Sequence, residues 1–163
     1  MRRSHHIPRG AYIGLAGLLA LLLSSSVTAK SWPPKDGVTP GETSRDEVIA
    51  KFGEPTRTFS KGGRLSDGIN YQGEEAIAGS LEANFYFDKH GILSRIDVFP
   101  AREITREQVV KIYGKKFQER VTKTGHTFFN YWRVGMIVFF EKEEDKVLSF
   151  MFTQAQSKAG GQK

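Results

Sequence analysis

Two segments of the chain repeat one pattern of apolar and polar positions, 61 residues apart. Ser44-Arg45-Asp46-Glu47-Val48-Ile49-Ala50-Lys51-Phe52-Gly53 aligns with Thr105-Arg106-Glu107-Gln108-Val109-Val110-Lys111-Ile112-Tyr113-Gly114. Each opens on a hydroxyl residue followed three positions later by Glu or Gln, which is a capping box. Asp46 and Glu107 stand in the first turn, where a helix favours negative charge. Gly53 and Gly114 supply the residue that ends a helix, and Pro55 blocks continuation of the first. Val48, Ile49 and Phe52 form one apolar stripe; Val109, Val110, Ile112, Tyr113 and Phe117 form the other. The pattern predicts two short helices, too short to be stable without packing.

Behind each helix the period changes to two. Leu81, Ala83, Phe85 and Phe87 alternate with Glu82, Asn84, Tyr86 and Asp88, the pattern of a half-buried strand. Strands are expected at Ile69–Gln72, Leu81–Asp88 and Ile92–Phe99 in the first half. Arg120–Lys123, Thr127–Arg133, Met136–Lys142 and Val147–Thr153 are expected in the second. Asp88-Lys89-His90-Gly91 and Glu143-Glu144-Asp145-Lys146 read as turns. The expected fold class is therefore α+β. Two tandem units follow one another, each a helix with an antiparallel meander, the helices packed on one face of the sheet. The first unit would span 41–99 and the second 100–153.

The ends read differently. Arg2, Arg3 and Arg9 precede an uncharged run from Ala11 to Leu23, and Val27-Thr28-Ala29 ends on small residues. That is the three-part pattern of a cleaved signal peptide over 1–29, and the run is short of the roughly 20 residues of a membrane span. Residues 30–40 hold Pro33, Pro34, Gly37 and Pro40 and read as a tether; 154–163 reads as a disordered tail. A periplasmic or secreted location follows.

Charge and composition then narrow the chemistry. The 24 Lys+Arg and 18 Asp+Glu give +6, of which three Arg belong to the export signal. The remaining +3 is a weak footprint for nucleic acid, which is not expected as a partner. With no cysteine there is no disulfide, thiolate metal site, cysteine nucleophile or lipid-modified N-terminal cysteine. Beyond the signal only His90 and His126 remain, both in turns and without metal-ligand spacing. Glu74-Glu75 and Glu143-Glu144-Asp145 read as solvated turns, and Lys61-Gly62-Gly63-Arg64 lacks the helix that a phosphate loop needs. No catalytic residue, metal or cofactor is expected, and the chain reads as a non-enzyme.

The stretch Pro40-Gly41-Glu42-Thr43-Ser44-Arg45-Asp46-Glu47-Val48, running to Phe52-Gly53-Glu54-Pro55, resembles the opening motif of the SmpA/OmlA (BamE-like) envelope proteins. The Asn84–Val98 hairpin fits that family's strand pair, and the tandem arrangement resembles the β-lactamase-inhibitor-protein fold. The resemblance implies a role in the bacterial envelope, outer-membrane protein assembly among them. The chain lacks both the lipobox cysteine of the first group and the disulfides of the second. Neither the anchor nor the β-lactamase target carries over.

Strand alternation separates the aromatic residues of the second half. Phe128, Trp132, Phe140, Phe150 and Phe152 are assigned to one face, and Phe129, Tyr131, Ile137, Phe139 and Met151 to the other. The second set, continued by Tyr86 and Arg95, is the expected surface for an envelope protein partner: Tyr86, Arg95, Phe129, Tyr131, Phe139 and Met151. A monomer is expected. Three other readings stand beside it. A secreted inhibitor could plug a hydrolase with the Ser60–Gly68 loop and Asp67. Lys111, Lys115, Lys116 and Arg120 could hold anionic lipid or cell-wall polymer, a peripheral membrane contact. A hydrolase could use Glu74 and Glu75.

Overall fold

The computed structural model describes residues 38–60 and 67–155. The signal peptide expected at 1–29, most of the tether and the tail beyond 155 lie outside the described residues.

Helix α1 spans Arg45–Phe52 and helix α2 spans Arg106–Tyr113. Both carry the expected capping box. Ser44 Oγ accepts from the Glu47 N–H while the Ser44 N–H donates back to the Glu47 carboxylate at 2.7 Å. Thr105 and Gln108 repeat the arrangement, with the Thr105 N–H donating at 2.8 Å. These donors hold the Glu47 carboxyl below its ordinary range, the Ser44 backbone first and its hydroxyl second.

Eight strands follow: β1 Arg57–Ser60, β2 Asp67–Gln72, β3 Ser80–Phe87, β4 Leu93–Pro100, β5 Gln118–Val121, β6 Thr127–Tyr131, β7 Met136–Phe140 and β8 Val147–Thr153. They form one antiparallel sheet in the order β1-β2-β3-β4-β8-β7-β6-β5. The expectation of two tandem units, each a helix on its own meander, is corrected by this topology. Strand β4 pairs with β8 from Arg95↔Thr153 to Val98↔Phe150. Two separate meanders would each leave a long inner edge of unpaired N–H and C=O groups; joining them removes both. The helices are a minor layer: each is eight residues and buries one residue fully, Val48 in α1 and Val109 in α2.

One face of the sheet is the core. Residues opposite one another on paired strands share a face. Tyr71, Ala83, Val98, Phe150, Val138 and Phe129 thus form one buried row across the sheet. Ile69, Phe85, Ile96, Phe152, Met136 and Tyr131 form the next. Each large side chain removed from water in this way stabilises by about 1.5–3 kcal/mol. Phe52 lays its ring against Tyr71 and Phe85, with centroids 5.9 and 5.5 Å apart. Phe117 stacks on Phe129 at 3.8 Å. The hydroxyls of Tyr71 and Tyr131 leave this apolar layer to donate to the carbonyls of Gly53 and Gly114, the residues that end the two helices.

Candidate functional site: the open face of the sheet

The rows between the core rows point the other way. The first half contributes Arg57, Asn70, Asn84 and Asp97 to one such row; the second half continues it with Met151, Ile137, Asn130 and Gln118. At the β4–β8 seam the row changes from Asp97 to the apolar Met151 and Ile137, and it turns polar again at Asn130 and Gln118.

The polar half is internally bonded. Asn70 Nδ2 donates to Asn84 Oδ1 at 2.9 Å and to Glu82 Oε1 at 3.1 Å. Asn84 Nδ2 donates to the same Glu82 oxygen at 2.7 Å. Arg95 grips Asp97 with two parallel bonds, its Nε at 2.7 Å from Oδ1. A bidentate pair of this kind is fixed in direction as well as charge. The Arg95 guanidinium also lies 5.1 Å from the Tyr86 ring centroid, and Phe59 meets that ring edge-on at 5.4 Å. Burial pushes the Tyr86 hydroxyl above its ordinary pKa, and the Asp97 charge adds to the effect. Asn70, Asn84 and Asp97 are buried although they stand on the open face, and Asn70 Oδ1 is left without a hydrogen-bond partner.

The apolar half is more accessible. Phe128 and Phe139 lie opposite one another with ring centroids 5.5 Å apart, and Ile137 pairs with Met151 across β7 and β8. All four are half-buried, neither sealed in the core nor fully in water.

Of the residues expected at a partner surface, Tyr86, Arg95, Phe139 and Met151 share this open face. Phe129 and Tyr131 do not: they are 2% and 3% exposed, on the core side. Phe128, expected among the core aromatics, is on the open face instead. The cause is local. Trp132–Val134 forms a 3₁₀ turn ending at Gly135 in the left-handed region. Tyr131 and Met136 therefore pair and share the core face, although they are an odd number of residues apart. Alternation counted straight through such a turn changes face. Asn70, Glu82 and Phe59 were not singled out by the sequence; Arg57–Ser60 is too short to show a period.

The other candidates are dispersed. Asp67 is exposed at the start of β2, and residues 61–66 of the suggested plug lie outside the described residues. Lys111, Lys115, Lys116 and Arg120 are exposed, and the Arg120 guanidinium donates to Gln118 at 3.0 Å. Glu74 and Glu75 occupy an exposed 3₁₀ turn. His90 is an exposed turn residue, and His126 Nδ1 lies 3.2 Å from the Phe140 carbonyl oxygen. Among the described residues no group of three or more His, Asp or Glu is placed to hold a metal ion. None of their helices is long and apolar enough to cross a membrane.

No family model matches the chain, and no curated protein matches it. Among solved structures it is similar to a DUF4309 family protein of Bacillus subtilis, with a TM-score of 0.53 and 16% identity, covering 73% of this chain and 83% of that one. A cysteine-rich secretory protein of Staphylococcus aureus superposes at a TM-score of 0.44 and 8% identity, over 72% of this chain and 44% of the other. The first likeness is one of fold alone, and the second is too distant to carry an argument.

Proposed function

We propose that this chain is an exported, non-enzymatic binding module that docks a protein partner of the bacterial cell envelope on the open face of its sheet. The observation that carries the reading is the division of that face. An internally bonded polar half adjoins a half-exposed apolar stripe of Phe128, Phe139, Ile137 and Met151. The core is already built from the opposite face, so folding does not require this stripe. An apolar centre beside fixed polar groups is the anatomy of a protein interface. The periplasmic or secreted setting rests on the export-signal pattern of residues 1–29. An envelope role is further supported by the SmpA/OmlA-like motif from Pro40 to Pro55.

The test is site-specific photo-crosslinking in the native host. A photoreactive residue at Phe139 or Ile137 is expected to give one discrete adduct, and the same residue at exposed Ile112 of α2 none. An adduct from Ile112 with none from the open face refutes the reading. An adduct confined to Asp67 favours the inhibitor reading instead.

A further inference from the structure

The open face carries another row beside the one that runs through Asp97 and Met151. Glu82 of β3 stands opposite Phe99 of β4, and Ser149, Phe139, Phe128 and Arg120 follow on β8, β7, β6 and β5. The register that pairs Val98 with Phe150 brings Phe99 level with Ser149, so the row is continuous from β3 to β5. At the ordinary spacing of strands its two ends lie roughly 24 Å apart. They carry opposite charges, and neither Glu82 nor Arg120 forms an ion pair among the described residues. Glu82 accepts from the Asn70 and Asn84 amides, and Arg120 donates to Gln118. Between these ends Phe99, Phe139 and Phe128 are half-buried.

The row is self-complementary about the gap between β8 and β7. Strands β3, β4 and β8 lie to one side of that line, and β7, β6 and β5 to the other. A two-fold axis along the line, parallel to the strands, lays β3 over β5 of a second copy, β4 over its β6 and β8 over its β7. Glu82 then faces Arg120 of the partner subunit, and Phe99 faces the partner's Phe128. In the neighbouring row Met151 faces the partner's Ile137. Each contact occurs twice, as a two-fold interface requires. Stacked sheets lie about 10 Å apart, a gap that a Glu and an Arg side chain together span. A partner of a different sequence imposes no relation between the two ends of the row. A second copy requires opposite charges at equal distances from the axis, and the row has them.

We infer that the partner docked on the open face is a second copy of this chain, stacked sheet on sheet about that axis. The inference rests on the proposed open-face interface and names its occupant. The apolar side chains leave water at the centre of the contact, and the Glu82–Arg120 pairs close its two ends. The inferred unit is a dimer, in place of the monomer expected from the sequence.

The test uses the full chain in its native host, with a photoreactive residue at Phe139. The expected adduct has twice the mass of the chain and maps to β8 of the second copy, where Ser149 lies opposite. Arg120→Glu is expected to reduce that adduct severalfold, and Arg120→Lys, which keeps the charge, to leave most of it. The position is exposed, so neither change disturbs the core. An adduct with a different protein overturns the inference and leaves the open-face interface standing. No adduct from this face overturns both. A doubled mass that Arg120→Glu does not lower also overturns the inference, because the two copies then meet in another arrangement.

Discussion

The Tyr71 hydroxyl donates to the Gly53 carbonyl oxygen at 2.8 Å, tying the residue that ends α1 to strand β2. Removing it with Tyr71→Phe is expected to cost about 0.5–1.5 kcal/mol in denaturant unfolding, while leaving the ring contacts with Phe52 and Phe85 in place. The same tie recurs between Tyr131 and Gly114, so Tyr131→Phe is expected to cost a similar amount. A loss above about 3 kcal/mol in either variant would mean that the hydroxyl supports more than one hydrogen bond.

Tyr71 also sets an alkaline limit. Burial, with the Glu54 charge second, raises its pKa from 10.0 to about 12. The unfolded chain gives up this proton near 10 and the folded chain does not. The contribution is therefore full below the unfolded value and is lost as pH rises through the folded one. Stability is expected to decline between pH 10 and about 12, and less steeply in Tyr71→Phe. Urea midpoints measured across that interval decide the matter.

Arg106 is predicted to matter more through its plane than through its charge. Its guanidinium lies 5.0 and 4.8 Å from the ring centroids of Phe129 and Phe140, and its ion partners Glu119 and Asp145 are exposed. Exposed ion pairs contribute little. Arg106→Lys keeps the charge and loses the planar stack, so it is expected to cost about 1 kcal/mol, and Glu119→Gln less than half of that. Equal losses from the two would show that the ion pair dominates.

Gly135 joins the 3₁₀ turn to β7 at φ +67°, and a Cβ there would stand 2.2 Å from the Thr153 carbonyl oxygen. Backbone cannot yield as a side chain can. Gly135→Ala is expected to lower stability by more than about 2 kcal/mol. Gly68→Ala faces only the Phe59 ring, at the sheet's edge, and is expected to be milder. The two thermal midpoints, compared side by side, test the distinction.

The partner surface gives a binding prediction. Phe139→Ser combined with Ile137→Ser is expected to abolish crosslinking from a photoreactive residue at Met151, with a small change in the thermal midpoint. Phe129→Ala is expected to do the reverse, costing about 3–5 kcal/mol as a core truncation. Binding that survives the open-face pair removes that surface from the mechanism.

Local signals were legible in the sequence where neighbours along the chain decide them. The two capping boxes depend on residues three apart, and the alternation through Leu81–Phe87 depends on residues two apart. Phe139 and Met151, both half-buried, were placed on one face, although the β7–β8 register shifts between Phe139 and Phe140. By contrast, Phe129 and Tyr131 were assigned to the wrong side. Their phase relative to β7 is reset by three residues of 3₁₀ turn whose geometry depends on Gly135 fitting under Thr153.

What the sequence by itself determined about this protein is therefore its elements and their caps, its lack of cysteine chemistry and the export-like pattern of its start. Only the tertiary structure decided that the strands make one sheet. That outcome turns on β4 pairing with β8 across some 50 residues of chain, where backbone groups on both edges gain partners that neither half can supply alone. The same pairing aligned Asp97 with Met151, and so placed the polar support and the apolar stripe on one continuous face.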